Sequence, residues 1–570
     1  MSARVPMSAR KKWVAARVQI RQKLGATWLP GVGARSPDLR RRPRQEQRKQ
    51  RDYGPGPSIM TSASDLRLKF YLILWYGVMF VGLLFLSLLL PGEPMMVAVL
   101  FAGFGWLVTI PYHSQIAFLV AITTFSSALV VPFLPGDPFL WEAAALLAWT
   151  GVMVNMFLRR YPVDFRETIR QNRWIFRAAV MYCLVLVVTM FVRGVGLRIM
   201  GSTQAGGRYY FQQLACAIFP LLFCMIDPDE RTVVRLLTLQ WILAATYLIS
   251  DFVLALGVGQ ALLNFFALSN DAQFFEFQAS RFGVRRFQSF AFASQGALFL
   301  LLMRVSLSDF LGRKAVWLVP LFGGIVGLGL LSGHRFIVAI GVMVLAFCSL
   351  AQRFLTRRNV AIGLAVVIPV LALAYGTARY LPSSAQRAIS FLPGIEIESL
   401  AAADAASTLS ARKNMFRLGM ELIPEYFWVG RGFTRYMDEY SMTYDPTGTT
   451  FLLNQGAFYN GFIGLMVNTG FFGMLSMSLF LLAGTVLALR IIRYVRRWGC
   501  NDNFVRGSCV LASLWLANVI AFYLLHGDAE YAMKNFSLQA GMLIVCYRLL
   551  RKRLAVEPAG ETSAAAAGSG

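Results

Sequence analysis

Apolar runs of about twenty residues recur along this chain of 570 residues, and they constrain its fold more than any other feature. The runs 70–90, 116–133, 139–158 and 233–256 are each long enough to cross a hydrocarbon core of roughly 30 Å. Inside lipid, a segment must pair every backbone polar group within itself, as a helix does. Because 57% of the residues are hydrophobic and only 15% are charged, the sequence predicts an all-α polytopic membrane protein.

Basic residues are concentrated in alternate connections between the predicted spans, such as RRYPVDFRETIRQNR after Leu158 and RIIRYVRRW after Leu489. Lys and Arg mark cytoplasmic loops, so this pattern predicts that both termini are cytoplasmic. We count about fourteen spans (12–14) on this basis. They begin near Phe70, Met95, Ile116, Phe139, Ala178, Tyr209, Val233, Phe287, Ala315, Phe336, Val360, Asn460, Ser508 and Phe536.

Composition divides the chain into five segments. Residues 1–60 are rich in Arg, Gln, Pro and Gly and are predicted to form a disordered basic tail. Met60 opens the stretch MTSASDLRLKF, so an alternative is that translation starts there. The rest is predicted as N-terminal transmembrane helices (61–375), a large periplasmic loop late in the chain (376–459), C-terminal transmembrane helices (460–550) and a disordered tail (551–570).

The distribution of charge and cysteines argues against a nucleic-acid-binding protein and against a metalloprotein. The net charge of +26 is concentrated in the predicted cytoplasmic loops and the N-terminal tail, where it orients helices and meets anionic lipid, so nucleic acid is not a predicted partner. The seven cysteines lie mostly inside apolar spans without metal-ligand spacing. The sequence therefore predicts no metal and no cofactor.

Three arginine-bearing segments lie on the predicted outer side, against the bias that places basic residues inside: 281–286, Arg335 and 412–435. A structural alternative for each is a side chain that reaches the membrane interface. Guanidinium groups stay protonated and bind phosphate oxygens in pairs, so three such segments favour an anionic ligand at the outer face. The ligand we expect is a lipid-linked pyrophosphate that carries a sugar chain.

One passage has a specific order of residues: ARKNMFRLGMELIPEYFWVGRGFTRYMDEY followed by LNQGAFYNGFIGLMVNTGFFG. It resembles the signature region of the O-antigen ligase and polysaccharide polymerase superfamily. In that pattern an arginine opens a surface helix, a proline and a Gly-x-Gly turn end it, and a His-Asn pair starts a membrane helix with two glycines. The matching residues here are Arg412, Pro424, Gly430, Arg431, Gly432, Asn460, Gly470 and Gly473.

Two further stretches are similar to the same superfamily. LLSGHRFIVAIG contributes Arg335 at a turn between two helices, and RRFQSFAFASQGALF contributes Arg286, with Arg285 as the alternative. The resemblance implies a metal-independent glycosyltransferase of the bacterial inner membrane whose active site faces the periplasm. It implies the polymerisation of repeat units carried on undecaprenyl pyrophosphate, or, as a ligase, transfer of the glycan to a lipid or protein. The implied partners are the lipid-linked oligosaccharide, a glycan or lipid acceptor, membrane lipids, and a chain-length regulator or flippase.

The sequence departs from this pattern at Tyr459, where the ligase branch carries the histidine that activates the acceptor. A tyrosine with a pKa near 10 does not normally accept a proton at neutral pH. The candidates for the catalytic group are therefore Tyr459 itself, Asp445, Glu439 and His334, with His526 as a further histidine at the outer side. The missing histidine favours a polymerase over a ligase.

A flippase or another transporter of lipid-linked sugars is the competing hypothesis of a different class. Such a protein is expected to show internal repeats, broken helices in matching halves and charges near the middle of the membrane. The sequence shows no convincing repeat, and its ionisable residues cluster at one face. A membrane scaffold would leave the outer arginines without a role, so an enzyme is favoured.

Overall fold

The computed structural model of the protein describes residues 116–132, 138–157, 164–195, 204–268, 284, 287–433, 435–436 and 456–567. The predicted spans near Phe70 and Met95 and the predicted tail 1–60 lie outside the described residues. Four predicted site residues lie outside them as well: Arg285, Arg286, Glu439 and Asp445.

Helices make up most of the described residues, which confirms the all-α prediction for that part of the chain. In chain order they are α1 (116–124), α2 (Leu140–Phe157), α3 (Phe165–Gln171), α4 (Arg173–Arg193), α5 (Gly207–Ala217), α6 (Phe219–Met225), α7 (Glu230–Leu243), α8 (Tyr247–Leu256), α9 (Gln288–Arg304), α10 (Ala315–Leu331), α11 (Arg335–Ala351), α12 (Arg357–Thr377), α13 (Ser383–Ile389), α14 (Ser399–Leu422), α15 (Gly461–Trp498), α16 (Asn503–Leu524) and α17 (Ala532–Ala567). Two short strands, β1 (Gln204–Ala205) and β2 (Arg435–Tyr436), pair antiparallel.

Six described helical segments are long and apolar enough to cross a membrane, which agrees with a membrane protein. They are α2, α4, the continuous stretch Glu230–Leu256 that contains α7 and α8, the stretch Arg357–Tyr380 that contains α12, α15 and α16. Helices α10 and α11 are apolar but shorter. The total of about fourteen crossings and their direction through the membrane remain predictions.

Two stretches differ from the sequence-based expectation. The span predicted near Tyr209 is two short helices, α5 and α6, that meet at Ile218. Pro220, at the start of α6, has no backbone N–H to donate into the preceding turn, which accounts for the interruption. At the other end of the chain, α17 continues to Ala567, through residues that were predicted as a disordered tail.

Helix α15 is at the centre of the packing, against α4, α16 and α17. Its buried face is rich in small and aliphatic residues, and the Trp515 indole of α16 lies against it. The Trp515 ring also contacts Phe480 of α15 (centroids 6.3 Å apart) and Phe536 of α17 (5.3 Å). Aromatic pairs of this geometry stabilise a packed core by about 0.5–1.5 kcal/mol each beyond the area they bury.

Ion pairs join several of the basic connections to one another. Arg553 of α17 bonds Glu230, at the start of α7, and Asp502, which precedes α16 (2.6 Å). Arg548 of α17 pairs with Asp227 at 3.1 Å. The connection before α7, the connection before α16 and this part of α17 therefore lie at one end of the helices, as expected if they share one side of a membrane.

Helix α12 has no buried residue, although it is among the most apolar of the described helices. An apolar helix that is exposed all round is stable in lipid and not in water. We therefore expect α12 to face lipid along its length.

This arrangement predicts different effects for two matched leucine substitutions. Leu487 of α15 is 2% exposed, whereas Leu364 of α12 is 54% exposed. Leu487→Ala leaves a cavity between packed helices and should destabilise the protein by about 2–5 kcal/mol. Leu364→Ala exchanges one lipid contact for another and should change the melting temperature in detergent micelles by much less. Equal shifts for the two variants would contradict this assignment of packed and lipid-facing helices.

Candidate functional site

The predicted site residues that the structure describes lie on five segments. These are the turn before α11 (His334 and Arg335), helix α14 (Arg412), the turn 430–432, residues 456–460 before α15, and α15 itself (Gly470 and Gly473). His334 is the residue directly before α11, and its backbone N–H donates to Ser332 Oγ (3.2 Å). The other contacts of these segments show how they meet.

Helix α15 is interrupted at Gly470, and the turn 430–432 binds at the interruption. Gly470 has φ 71° and ψ −175°, a conformation that favours glycine. The backbone N–H of Arg431 donates to Val467 O (2.7 Å), and that of Gly432 donates to Asn468 O (2.9 Å). In an uninterrupted helix these two carbonyls would accept from residues four positions further along. The turn therefore supplies hydrogen bonds that the interruption removes.

The pairing continues on both sides of the turn. The Phe471 N–H, just after the interruption, donates to Phe427 O (2.7 Å). A Cβ atom at Gly430 would lie 2.2 Å from the Asn468 carbonyl, so only glycine permits this approach. Arg193, the last residue of α4, donates from Nε to Gly430 O (3.1 Å). The glycine turn is thus held between α4 and the broken α15.

Three polar groups converge on Gly456, shortly before α15. A Cβ atom at this glycine would lie 3.3 Å from Arg431 Nη2 and 3.4 Å from both Asn468 Nδ2 and Glu530 Oε1. Asn468 and Glu530 are buried, at 1% and 4% exposure. Neither polar atom of the Asn468 side chain has a hydrogen-bond partner in the described part of the chain. Leaving a buried amide unpaired costs about 1–3 kcal/mol, so this amide is suited to bind a ligand hydroxyl or a water molecule.

A second cluster forms around Tyr459. The Arg412 guanidinium carbon lies 5.5 Å from the centre of the Tyr459 ring, and the His526 ring stacks on the same tyrosine with centroids 5.4 Å apart and 27° between the planes. Tyr459 has φ 55°, which is uncommon for a residue other than glycine. The next residue, Asn460, caps α15 because its Oδ1 accepts from the Ile463 N–H (3.1 Å). The cap fixes where the helix begins and so where Tyr459 lies.

His526 lies just after α16 and is close to one carboxylate. Its Nε2 is 3.6 Å from Asp528 Oδ2, which is longer than a hydrogen bond but close enough for strong attraction. Burial lowers the pKa of His526 below its ordinary value of 6.5; Asp528 opposes this shift and Arg412 adds to it. The imidazole is therefore neutral at pH 7. Its Nδ1 is buried and has no hydrogen-bond partner in the described segments.

Arg335 is positioned by a buried ion pair. Its Nε donates to the backbone carbonyl of Arg387 in α13 (3.2 Å). The Arg387 side chain is 5% exposed and bonds the Asp404 carboxylate, the Gly333 carbonyl and Thr408 Oγ1 (3.1 Å). One guanidinium group thus joins α13, α14 and the turn before α11.

The two clusters and the turn before α11 lie at the same end of the helices. The ring of Phe336, next to Arg335, is 5.6 Å from the His526 ring. Helices α11 and α15 both start here; at its far end α11 is followed by the basic stretch RFLTRRN, and α15 ends in the basic turns RIIRYVRRW, which were predicted as a loop. Arg335, Arg412 and Arg431 are therefore separated from the main basic loops by the length of a helix.

Sequence reasoning missed four residues at this site: Arg387, Asp404, Asn468 and Glu530. Arg387 and Asp404 lie in the segment predicted as a periplasmic loop, and nothing in their spacing indicates that they pair. Asn468 lies in an apolar helix, where a single polar residue gives no period to detect. Glu530 follows His526 and Asp528 in a short connection whose contact with residue 456 depends on the tertiary fold.

The arrangement suits an anion beside a neutral base. Arg335, Arg412 and Arg431 are all partly buried, which strengthens their attraction for a negative ligand. In the part of the chain that the structure describes, no three His, Cys, Asp or Glu residues are grouped so that they could hold a metal ion.

A scan of the sequence against protein-family models found no matching family, and a search of curated proteins found no match.

The ion pair of Arg387 and Asp404 can be tested against a surface pair of the same helix. Asp404→Asn leaves the buried guanidinium uncompensated and should destabilise the packing of α13 and α14 by about 3–5 kcal/mol. Glu421→Gln breaks a pair with Arg417 that is 3.9 Å long and exposed, and should change stability by about 0–1 kcal/mol. Thermal unfolding and limited proteolysis of the purified protein would measure both. Similar behaviour of the two variants would show that the buried pair does not hold these segments.

Proposed function

We propose that this protein is a metal-independent membrane glycosyltransferase that polymerises oligosaccharide repeat units carried on undecaprenyl pyrophosphate. In this proposal the chain crosses a bacterial inner membrane about fourteen times, both termini are cytoplasmic, and the site faces the periplasm. The observation that carries the proposal is that Arg335, Arg412 and Arg431 lie on segments that meet at the helix ends away from the basic loops.

The arginines would bind the pyrophosphate of the donor. As the bond between the anomeric carbon and the pyrophosphate oxygen breaks, negative charge grows on the leaving group. Cations fixed in advance around that charge lower the barrier without reorganising during the reaction. Arg335 is held by the buried Arg387 and Asp404, and Arg412 by the Tyr459 ring, so both are ordered before a ligand binds.

His526 is the group we assign to the proton of the acceptor. Asp528 lies on the Nε2 side, which favours a proton on Nε2 and leaves the Nδ1 lone pair free to accept the hydroxyl proton. The acceptor oxygen then bonds to the anomeric carbon, and undecaprenyl pyrophosphate leaves with the electron pair of the broken bond. Tyr459, whose ring contacts both Arg412 and His526, would orient these two groups rather than take the proton itself.

The alternative is a ligase that transfers a finished glycan to a lipid or protein. Deletion of the gene distinguishes the two functions. If the protein is a polymerase, its deletion should leave single repeat units attached at the cell surface. If it is a ligase, its deletion should lead to accumulation of lipid-linked polymer. Precursors that remain on the cytoplasmic face would instead indicate a flippase and would contradict the proposal.

Removing the arginines should abolish chain growth. Arg335→Ala and Arg412→Ala should each lower kcat/KM by about 100-fold to 1,000-fold, because each removes a cation from the developing charge. The control is Arg417→Ala on α14, whose side chain is 74% exposed and which should retain activity. Polymer length would be measured with purified protein and a synthetic lipid-linked repeat unit. Normal products from both site variants would reject this assignment.

The role of His526 gives a pH signature. The wild-type rate should be constant above pH 6.5 and should fall on acidification, as the lowered pKa of His526 is approached and its lone pair is lost. His526→Gln should lower kcat by about 100-fold to 10,000-fold and remove this dependence. His334→Gln should retain the pH dependence of the wild type. The reverse result, with the dependence lost only in His334→Gln, would move the base to His334.

A further inference from the structure

A cavity of about 390 Å³ lies at the opposite end of the helices from the candidate site. It is bordered by the residues that follow α9, by the end of α11 and by the end of α15. Since α11 has 17 residues, its two ends are about 25 Å apart. The cavity is therefore separate from the groups assigned above to catalysis.

Three arginines line this cavity: Arg353, Arg496 and Arg497. No carboxylate is among its lining residues in the described part of the chain, and none of the described ion pairs involves these arginines. The C-termini of α11 and α15 also border the cavity, and together they carry a charge of roughly −1. The three guanidinium groups and these two helix ends therefore leave a net charge of about +2, which suits a phosphate group.

Arg353 occupies a backbone position where an arginine is unfavourable. It has φ 55°, and Tyr459 of the candidate site is the other described non-glycine residue with positive φ. The Phe354 N–H donates to Ser349 O (2.9 Å) and the Arg353 N–H to Leu350 O (3.4 Å), a helix ending in which glycine normally holds the left-handed position. At the end of α15, beside the same cavity, Gly499 holds the positive-φ position.

The difference between Arg353 at the end of α11 and Gly499 at the end of α15 distinguishes a ligand site from ordinary helix capping. Arg496 and Arg497 stand in the last turn of α15, where any cation is stabilised by the helix C-terminus. That account does not cover Arg353, because a glycine would end α11 with less strain. An arginine at a backbone position where it is strained points to a role for its guanidinium group.

The tryptophan beside the cavity places it at the level of lipid head groups, which fits a phospholipid ligand. Trp498 lines it with a side chain that is 46% exposed, and the Arg497 guanidinium lies 5.2 Å from the indole. Exposed tryptophans of membrane proteins concentrate at the level of the lipid head groups. Ser306 and Ser308 also line the cavity; their hydroxyls are 3.0 Å apart and that of Ser306 donates to Gln352 Oε1 (3.4 Å), so the guanidinium groups are the donors left for phosphate oxygens.

We propose that this cavity binds the phosphate of an anionic ligand, the head group of a phospholipid in the adjoining leaflet or the free anion. The two sources have the same recognition chemistry and differ only in whether an acyl chain is attached. The proposal does not depend on the transferase activity.

The full-length protein in neutral micelles would be titrated with cardiolipin, phosphatidylglycerol, phosphatidylcholine or inorganic phosphate, and its melting temperature recorded. We expect the anionic lipids to raise the melting temperature and phosphatidylcholine to leave it unchanged. A shift with inorganic phosphate alone would identify the free anion as the ligand, whereas a shift with lipid alone would identify the head group. No shift with either would overturn the proposal.

Arg353→Gly is the decisive variant, because a specific phosphate site and general attraction by surface charge predict different results for it. It should melt at an equal or higher temperature without ligand, since strain is relieved, and should bind the anionic ligand at least tenfold more weakly. Arg358→Gln removes an equal charge from an exposed position outside the cavity and should bind normally. Unchanged binding by Arg353→Gly, or equal weakening in both variants, would show that only general surface charge acts here.

Discussion

The exchange of hydrogen bonds between the broken α15 and the glycine turn is the interaction on which the candidate site depends. An apolar helix in lipid pairs its backbone groups within itself, and a break leaves carbonyls and N–H groups without partners. Here the turn 430–432 and residue 427 take their place through three hydrogen bonds of 2.7–2.9 Å. Next to the break, Asn468 lies with Arg431 and Glu530 around Gly456, so this exchange positions the first polar cluster, whereas the Asn460 cap positions Tyr459 in the second.

The charges of the described residues are divided between the two ends of α11 and α15. At one end, partly buried arginines meet aromatic rings, a neutral histidine and an unpaired amide. At the other end, exposed arginines surround a cavity, and the loops joined by α17 form paired ion networks. Residues with positive φ other than glycine occur in the described chain once at each end. The strain is thus found where we propose ligands, and not within the packed interfaces of α15, α16 and α17.

The sequence predicted the helices well because apolar length is a local property. Helix α11 begins at Arg335 where a span was expected at Phe336, and α15 begins at Gly461 where one was expected at Asn460. The break at Ile218 was not predicted, since Pro220 can also start an ordinary helix. The contacts of the site were less accessible, because the stacking of His526 on Tyr459 and the support of Arg335 by Arg387 depend on tertiary packing. No period or spacing in the sequence encodes such pairs.

The central claim, that guanidinium groups at this end bind a lipid-linked pyrophosphate, can be tested by photo-cross-linking. A benzophenone amino acid at position 459 would be compared with the same group at position 317, which is also aromatic and lies near the start of α10, at the other end of that helix from the turn before α11. Illumination with a lipid-linked oligosaccharide should label the protein from position 459, excess undecaprenyl pyrophosphate should suppress the labelling, and position 317 should not react. Equal labelling from both positions, or labelling that pyrophosphate does not displace, would contradict the account.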